Sequence, residues 1–412
     1  MKLFLRILVF LVGMSMSFTD LPIRSGGVSY SVSFFMVGLY AISIIPILTM
    51  KFNAVVIKYT TVLICPVLFY LLLALSNALQ NVTGQPVFDT TIVSCIVLFI
   101  CLLIHSEYDS KALHLGIIGL GIGTIILSIL FPFGIGVTYT EDRLQMFGAN
   151  ANTVGYIMYL GSAIIAQEFI IRDYFRLKMF KFIFIIPLFL AVPMVLESGS
   201  RITTMLLFVL LLILILTYPT KYKLVKVMIC LTGLIVTCIL FINLMTSDSV
   251  IAHRMMLAFN DHDTGGRTDI WNVYIPHVIQ NPIIGVGKTG QTIISQMHYG
   301  KLSHILGGVS PHNVLIEVAL YTGFVGLAVM LVFWTKAFAK VAVIYKTHGE
   351  ILPLLLAVAL IAQILSSQIL EIKFAWLIFA YILTWENSYK MEQLSTMNTE
   401  KIVRLLRLHN II

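Results

Sequence analysis

About twelve apolar blocks, each near the ~20 residues that a helix needs to cross the hydrocarbon core of a bilayer, constrain this chain more than any other feature. They fall at about 3–19, 28–50, 60–78, 88–104, 112–133, 151–168, 182–197, 202–218, 226–246, 312–333, 351–368 and 371–386. In lipid the backbone must satisfy its own hydrogen bonds, and the alternating pattern of barrel strands is absent, so the blocks read as helices. With 59% hydrophobic and 11% charged residues, the chain lies far from a soluble domain, where the shares are ~45–50% and ~25%. A net charge of +8 on a soluble domain would point to nucleic acid. Here its placement along the loops carries the information, and no nucleic-acid partner is expected.

Lys and Arg of short loops stay in the cytoplasm. With the N-terminus inside, nineteen of the 27 basic residues fall on the inner side, among them Lys51, Lys58, Lys111, Arg172, Arg176, Lys178, Lys181, Lys336, Lys340 and Lys346. Both termini are then inside. The N-terminal run MKLFLRILVFLVGMSMSF has the basic start and apolar core of a leader. Because similar blocks follow it and its cleavage site is poor, it reads as an uncleaved first span. The expected organisation is spans 1–9 over residues 1–246, an outer loop with an interfacial helix over 247–311, spans 10–12 over 312–386, and a basic amphipathic tail on the inner surface over 387–412. Cys65, Cys95, Cys101, Cys230 and Cys238 all sit in apolar blocks, so neither a disulfide framework nor a CxxC metal site is indicated.

The outer loop concentrates the chemistry. The stretch 247–326 holds six of the ten histidines (His253, His262, His277, His298, His304 and His312) with Arg254, Arg267, Asp261, Asp263 and Asp269. A long polar insertion between spans is costly to order without a task outside the bilayer. Arg267 follows Gly265-Gly266 and opens a pattern of Ile270, Trp271, Tyr274, Ile275, Val278 and Ile279 at helical spacing, stopped at Asn281-Pro282. That pattern predicts an amphipathic helix lying on the outer leaflet. Interfacial packing explains its aromatics but not an arginine held behind two glycines. Arg201, in Ser198-Gly199-Ser200-Arg201 at the mouth of a hairpin, either pairs with Glu197 or meets an anion. His312, in Ser310-Pro311-His312-Asn313, either caps the next span or serves as a base near neutral pH. His298, His304 and His312 lack the i, i+4 spacing of a helical ligand set, and no metal or cofactor is expected. Gly285-Val286-Gly287-Lys288-Thr289-Gly290 glances at a phosphate loop, but Pro282 stands where a glycine is required and the loop faces away from ATP. Its glycines read as turn formers.

In this order the motifs resemble the O-antigen ligase and Wzy-type polysaccharide polymerase superfamily. The resemblance rests on Arg267-x3-Trp271, Asn281-Pro282-x2-Gly285-x-Gly287, His312-Asn313 and Gly323-x2-Gly326, preceded by Phe147-Gly148-x-Asn150-x-Asn152 and Ser198-Gly199-Ser200-Arg201. It covers roughly residues 140–330. It implies an all-α, GT-C-type fold of about twelve transmembrane helices in the bacterial inner membrane, with the active site facing the periplasm. The implied reaction is metal-independent glycosyl transfer from an undecaprenyl-diphosphate-linked glycan to a glycan or to lipid A-core, alongside a flippase and a chain-length regulator. By position, Arg201 and Arg267 would hold the diphosphate and His312 would take the acceptor proton, while Arg143, Arg254, Asn152 and Asn313 would contact substrate. Polymerase is the expected activity, ligase the near alternative. A twelve-span transporter or flippase is the alternative of another class. It would want charges near span midpoints and two similar halves, whereas Glu168, Glu317 and Lys373 lie near span ends and the halves look unlike.

Overall fold

The computed structural model describes residues 1–18, 22–25, 28–80, 87–217, 222–247, 249–260, 266–300 and 309–387. The expected tail beyond Asn387, together with Asp261, His262, Asp263, Gly265 and His304, lies outside the described residues.

The apolar blocks are helices. In chain order these are α1 (Lys2–Ser15), α2 (Val32–Leu79), α3 (Thr90–Tyr108), α4 (Ala112–Leu130), α5 (Ala151–Ile164), α6 (Ile185–Glu197), α7 (Arg201–Thr217) and α8 (Lys223–Met245), then α12 (Val314–His348), α13 (Leu352–Ser366) and α14 (373–387). A wider π segment, Ile165–Ile171, prolongs α5. Six of the described helices are long and apolar enough to cross a membrane, and shorter apolar helices accompany them. The chain is therefore an all-α, multi-pass membrane protein, and among the described residues two short hairpins are added: β1 (Pro22–Ser25) on β2 (Val28–Ser31), and β3 (Val137–Thr140) on β4 (Arg143–Met146).

Two helices run longer than the blocks suggest. A straight helix of 48 residues would reach ~72 Å, more than twice the ~30 Å hydrocarbon thickness. The break at Tyr59 (φ −115°, ψ 18°) divides α2 into two arms that match the blocks at 28–50 and 60–78. Tyr59 is fixed there by donating its hydroxyl to Glu107 at 2.9 Å. Helix α12 continues past residue 333 because no breaker intervenes before Gly349, so Lys336, Lys340 and Lys346 are helical rather than in a loop. Lys340 pairs with Glu386 of α14.

The described residues of the stretch 247–311 form three helices, α9 (Val250–Asn260), α10 (Arg267–Gln280) and α11 (Gly287–Tyr299). The anticipated helix α10 is present, but its apolar residues divide between two faces. Tyr274 and Val278 are buried with Val286, Ile294, Ala319 and Leu320 in a small core of their own, whereas Ile275 and Ile279 stay exposed. The main core joins α1 to α7 with α12, α13 and α14.

Backbone contact explains the glycines of the downstream motif. The turn after α10 crosses α12 where that helix breaks at Gly323 (φ 66°, ψ −170°). Val286 N donates to Leu320 O and Phe324 N to Pro282 O, both at 2.7 Å. A Cβ on Gly285 would meet Leu320 O at 2.5 Å, and one on Gly323 would meet Ile283 backbone at 2.4 Å. Both sites also have positive φ, so the crossing needs glycine twice.

Candidate active site

Four separate pieces of chain bring the site together. The first is the β3–β4 hairpin, closed by Glu141 and Asp142, both in left-handed conformation (φ 51° and 56°) as a tight two-residue turn demands. It presents Arg143, whose Nε donates to Ser198 O at 2.9 Å and whose Nη2 donates to Asn152 Oδ1 at 2.8 Å. Asn152 is placed by the first turn of α5, which Asn150 caps by accepting from Thr153 N. The second piece is the Ser198–Ser200 turn between α6 and α7. Ser198 Oγ donates to Val195 O, and Ser200 N donates back to Ser198 Oγ, burying both serines and launching α7 at Arg201.

The third piece is α9 with the start of α10. Arg201 Nη1 donates to the carbonyl of Arg254 at 3.3 Å, and Arg267 opens α10 behind Gly266. The fourth is the strand-like lead into α12, held on both sides. Trp271 Nε1 donates to Pro311 O at 2.8 Å, Tyr274 Oη to Val309 O at 2.5 Å, and Gln291 Nε2 to the same carbonyl at 2.8 Å. Ser295 Oγ accepts from Val309 N at 2.8 Å. With its predecessors clamped, His312 adopts φ 52°, a left-handed conformation that costs a non-glycine residue ~1–3 kcal/mol and persists only where surroundings impose it.

These pieces enclose a cavity of about 150 Å³ lined by Arg143, Asn152, Tyr156, Ser200, Arg201, Arg254, Arg267, His312 and Ser366, with Gly199 and Ile202. Its described lining includes four arginines and no carboxylate. The cations feel one another. Burial and then the charges of Arg254, Arg201 and Arg267 push Arg143 down to about 10, against the pull of Glu141. Arg267 is lowered by burial first, then by Arg201 and Arg254. Burial and the neighbouring Arg267 also lower His312 below the usual histidine range. The imidazole is then neutral near pH 7, with one nitrogen free to accept a proton. Such a cavity favours an anion carrying more than one charge and sets a neutral base beside it.

Of the residues singled out from sequence, Arg143, Asn152, Arg201, Arg254, Arg267 and His312 all line this one cavity. Asn313 does not. Its Oδ1 caps α12 by accepting from Leu315 N and Ile316 N, and its Nδ2 reaches Leu365 O, so its carboxamide is occupied in holding the helix start. His298 turns its Nδ1 to Ile294 O within α11. Glu197 accepts from Tyr139 Oη at 2.6 Å. Tyr156 and Ser366, joined Oη to Oγ at 2.9 Å, were not anticipated. Tyr156 stands four residues after Asn152, on the same face of α5, and that spacing was a usable signal. Nothing in sequence marks Ser366.

Fold and cavity together define a multi-pass helical membrane protein with a cation-lined, half-buried site at one end of its bundle. Residues 186–331 match the family model described as O-antigen ligase. The match runs from α6 into α12, takes in Arg201, Arg254, Arg267 and His312, and supports the resemblance to the O-antigen ligase and Wzy-type superfamily. No curated protein matches the chain.

Proposed function

We propose that the protein is a membrane glycosyltransferase that polymerises undecaprenyl-diphosphate-linked repeat units into O-antigen or capsular polysaccharide. The observation that carries this reading is the convergence of four arginines and a neutral histidine on one cavity, four of the five lying in the segment matched to the O-antigen ligase family. At about 150 Å³ the cavity is smaller than the ~300–1,000 Å³ that holds a whole small ligand. It suits the diphosphate and the reacting carbon, leaving the polyprenyl chain along the apolar helices and the glycan outside. In this reading the twelve blocks are twelve crossings of a GT-C-type arrangement in the bacterial inner membrane, and the cavity faces the periplasm.

Arg201 and Arg267 grip the donor diphosphate. His312 removes the proton from the acceptor hydroxyl as its oxygen bonds to the anomeric carbon; the carbon–oxygen bond to the diphosphate breaks, and undecaprenyl diphosphate leaves as the anion the arginines stabilise. Arg143, fixed by Ser198 O and Asn152, and Arg254 bind the remaining phosphate oxygens or acidic sugars. No step calls on a metal or cofactor. A flippase would supply the donor and a chain-length regulator would limit the product.

In cells lacking the native gene, Arg267→Ala is expected to reduce turnover ~10²–10³-fold and His312→Ala ~10²–10⁴-fold. Each variant should abolish long-chain product while inserting at normal level. Normal chain length in both variants would refute the assignment. The family match is equally compatible with a second reading, a ligase, which would transfer finished polysaccharide to lipid A-core. Deleting the gene separates the two: core capped by single repeats marks a polymerase, bare core with accumulated lipid-linked chains a ligase.

A further inference from the structure

The larger cavity of the molecule, about 1250 Å³, reaches Glu168, which stands twelve residues beyond Tyr156 along α5 and its π segment. Its cations Arg6, Lys111, Arg172 and Arg176 are balanced by Asp109, Glu168, Asp173 and Glu350, so charge selects no occupant there. A buried acid beside the lead into α12 carries more. Glu317 is not spent on the helix start, because Asn313 takes Leu315 N and Ile316 N, while the Glu317 carboxyl turns the other way, with Oε1 at 3.1 Å from Tyr321 Oη. Tyr321 Oη also lies 2.9 Å from Gln291 Oε1 on α11, and Gln291 Nε2 donates to Val309 O at 2.8 Å. Gln291 and Tyr321 are buried as well.

Donor and acceptor counts fix the protons of this relay. A backbone carbonyl can only accept, so the NH2 of Gln291 faces Val309 and its amide oxygen faces Tyr321. The Tyr321 hydroxyl has one proton and two oxygens in reach, Gln291 Oε1 and Glu317 Oε1. The amide oxygen brings no proton, so both contacts are full hydrogen bonds only when Glu317 is a neutral acid that donates to Tyr321. An ionised carboxyl would also leave a charge buried with Oε2 unmatched by any donor among the described residues. Lys288, three residues before Gln291, is already bridged by Asp89 and Glu371. Each group then donates to the next, from Glu317 through Tyr321 and Gln291 to the Val309 carbonyl. That carbonyl stands three residues before His312, whose left-handed backbone, φ 52°, persists only where its surroundings impose it.

We propose that Gln291, latched by Tyr321 and by Glu317 as a neutral acid, is a positioning residue for His312: it touches no substrate and holds the backbone that aims the imidazole. The proposal rests on the glycosyl-transfer reading, in which His312 is the base. In the full-length protein Gln291→Leu is expected to lower kcat about tenfold, the worth of one hydrogen bond. Affinity for inorganic diphosphate, read by calorimetry, should stay at the wild-type value, because the four arginines are untouched. Tyr321→Phe leaves the carboxamide in place but unlatched and should lower kcat by a smaller factor. In a His312→Ala background neither substitution should lower the residual rate further, since a residue that acts through the base has nothing left to align. A merely structural fault would cost the same in both backgrounds.

The neutral acid is tested without any turnover. The infrared spectrum of the full-length protein in nanodiscs at neutral pH should contain a protonated-carboxyl band that Glu317→Gln removes. Unchanged kcat in Gln291→Leu, equal losses with and without His312, or a carboxyl band indifferent to Glu317→Gln would each overturn the proposal. Should Gln291→Leu fail to insert, Tyr321→Phe carries the same comparison. The underlying reading fails separately, through a His312→Ala variant that transfers glycan at the wild-type rate.

Discussion

His312 combines a strained backbone, φ 52°, with an imidazole whose proton affinity is reduced by burial and by Arg267. A base must be unprotonated to act, so the free enzyme loses activity only as pH falls through this lowered value. The acid limb of kcat/KM is therefore expected below the ordinary histidine value of about 6.5. A bound diphosphate adds negative charge beside the ring and raises its affinity for the proton, so the acid limb of kcat should lie at higher pH than that of kcat/KM. Limbs that coincide, or a kcat/KM limb well above 6.5, would exclude His312 as the base. At this scale the sequence was informative wherever a residue type is unusual for its surroundings. Arginines at membrane edges and behind glycines stand out because burying them without an anion is costly, and Arg143, Arg201, Arg254 and Arg267 share one cavity. Asn313 shows the opposite case: an asparagine before a helix reads equally as ligand or cap, and only the bonds to Leu315 N and Ile316 N decide for the cap.

Among elements, the turn at Pro282–Val286 and the break in α12 are one device, since each supplies the space the other fills. Gly285→Ala would press a methyl group into Leu320 O and the backbone of Thr322 and Gly323, which cannot shift cheaply. Gly266→Ala meets nothing within 4 Å and suffers only from its positive φ. Gly266→Ala is expected to cost about 1 kcal/mol, and Gly285→Ala to cost that plus ~1–3 kcal/mol of overpacking. Thermal unfolding in detergent measures both, and equal losses would show that the crossing is not tight. Beside it, Lys288 bridges Asp89 at the start of α3 and Glu371 before α14. Burial alone would lower the ammonium's proton affinity, yet Glu371 and Asp89 outweigh it and hold the pKa above the usual lysine range. Lys288→Met leaves two carboxylates facing each other, so it should destabilise more than Lys288→Met/Asp89→Asn/Glu371→Gln, in which nothing charged remains. A triple variant less stable than the single would refute this pairing. The 3.6-residue pattern of α10 was legible, but not the direction of its faces. Tyr274 and Val278 turn inward because Val286 and Ile294 of the following turn and α11, and Ala319 and Leu320 of α12, offer them a core, and the α12 partners lie more than forty residues away in sequence.

For the whole molecule, apolar length alone marked the helices, because lipid permits no other use of such blocks. What it left open was continuity: α2 and α12 outrun a single crossing, and only the breaks at Tyr59 and Gly323 show where the chain bends. Helices α4, α5, α12 and α13 each run from the neighbourhood of the arginine cavity to that of the larger one, so the two open toward opposite ends of the bundle. Residues bordering the larger cavity include Lys111, Arg172 and Arg176, with Lys178 and Lys181 close behind in sequence. The hairpin end carries arginines too, but they point into a cavity rather than along a loop, and the retention rule counts short loops. The loop-rich end is thus expected in the cytoplasm and the hairpin end outside. Cysteine labelling tests this in a Cys230→Ser/Cys238→Ser background, Cys65, Cys95 and Cys101 being buried. A membrane-impermeant thiol reagent should modify Glu141→Cys, at the exposed hairpin turn, in cells with a permeable outer envelope and an intact inner membrane. Met179→Cys, 84% exposed in the wild-type residue, should react only after that membrane is opened. The reverse pattern would put the four arginines and His312 on the cytoplasmic side, away from any acceptor outside the membrane, and the glycosyl-transfer reading would fall with it.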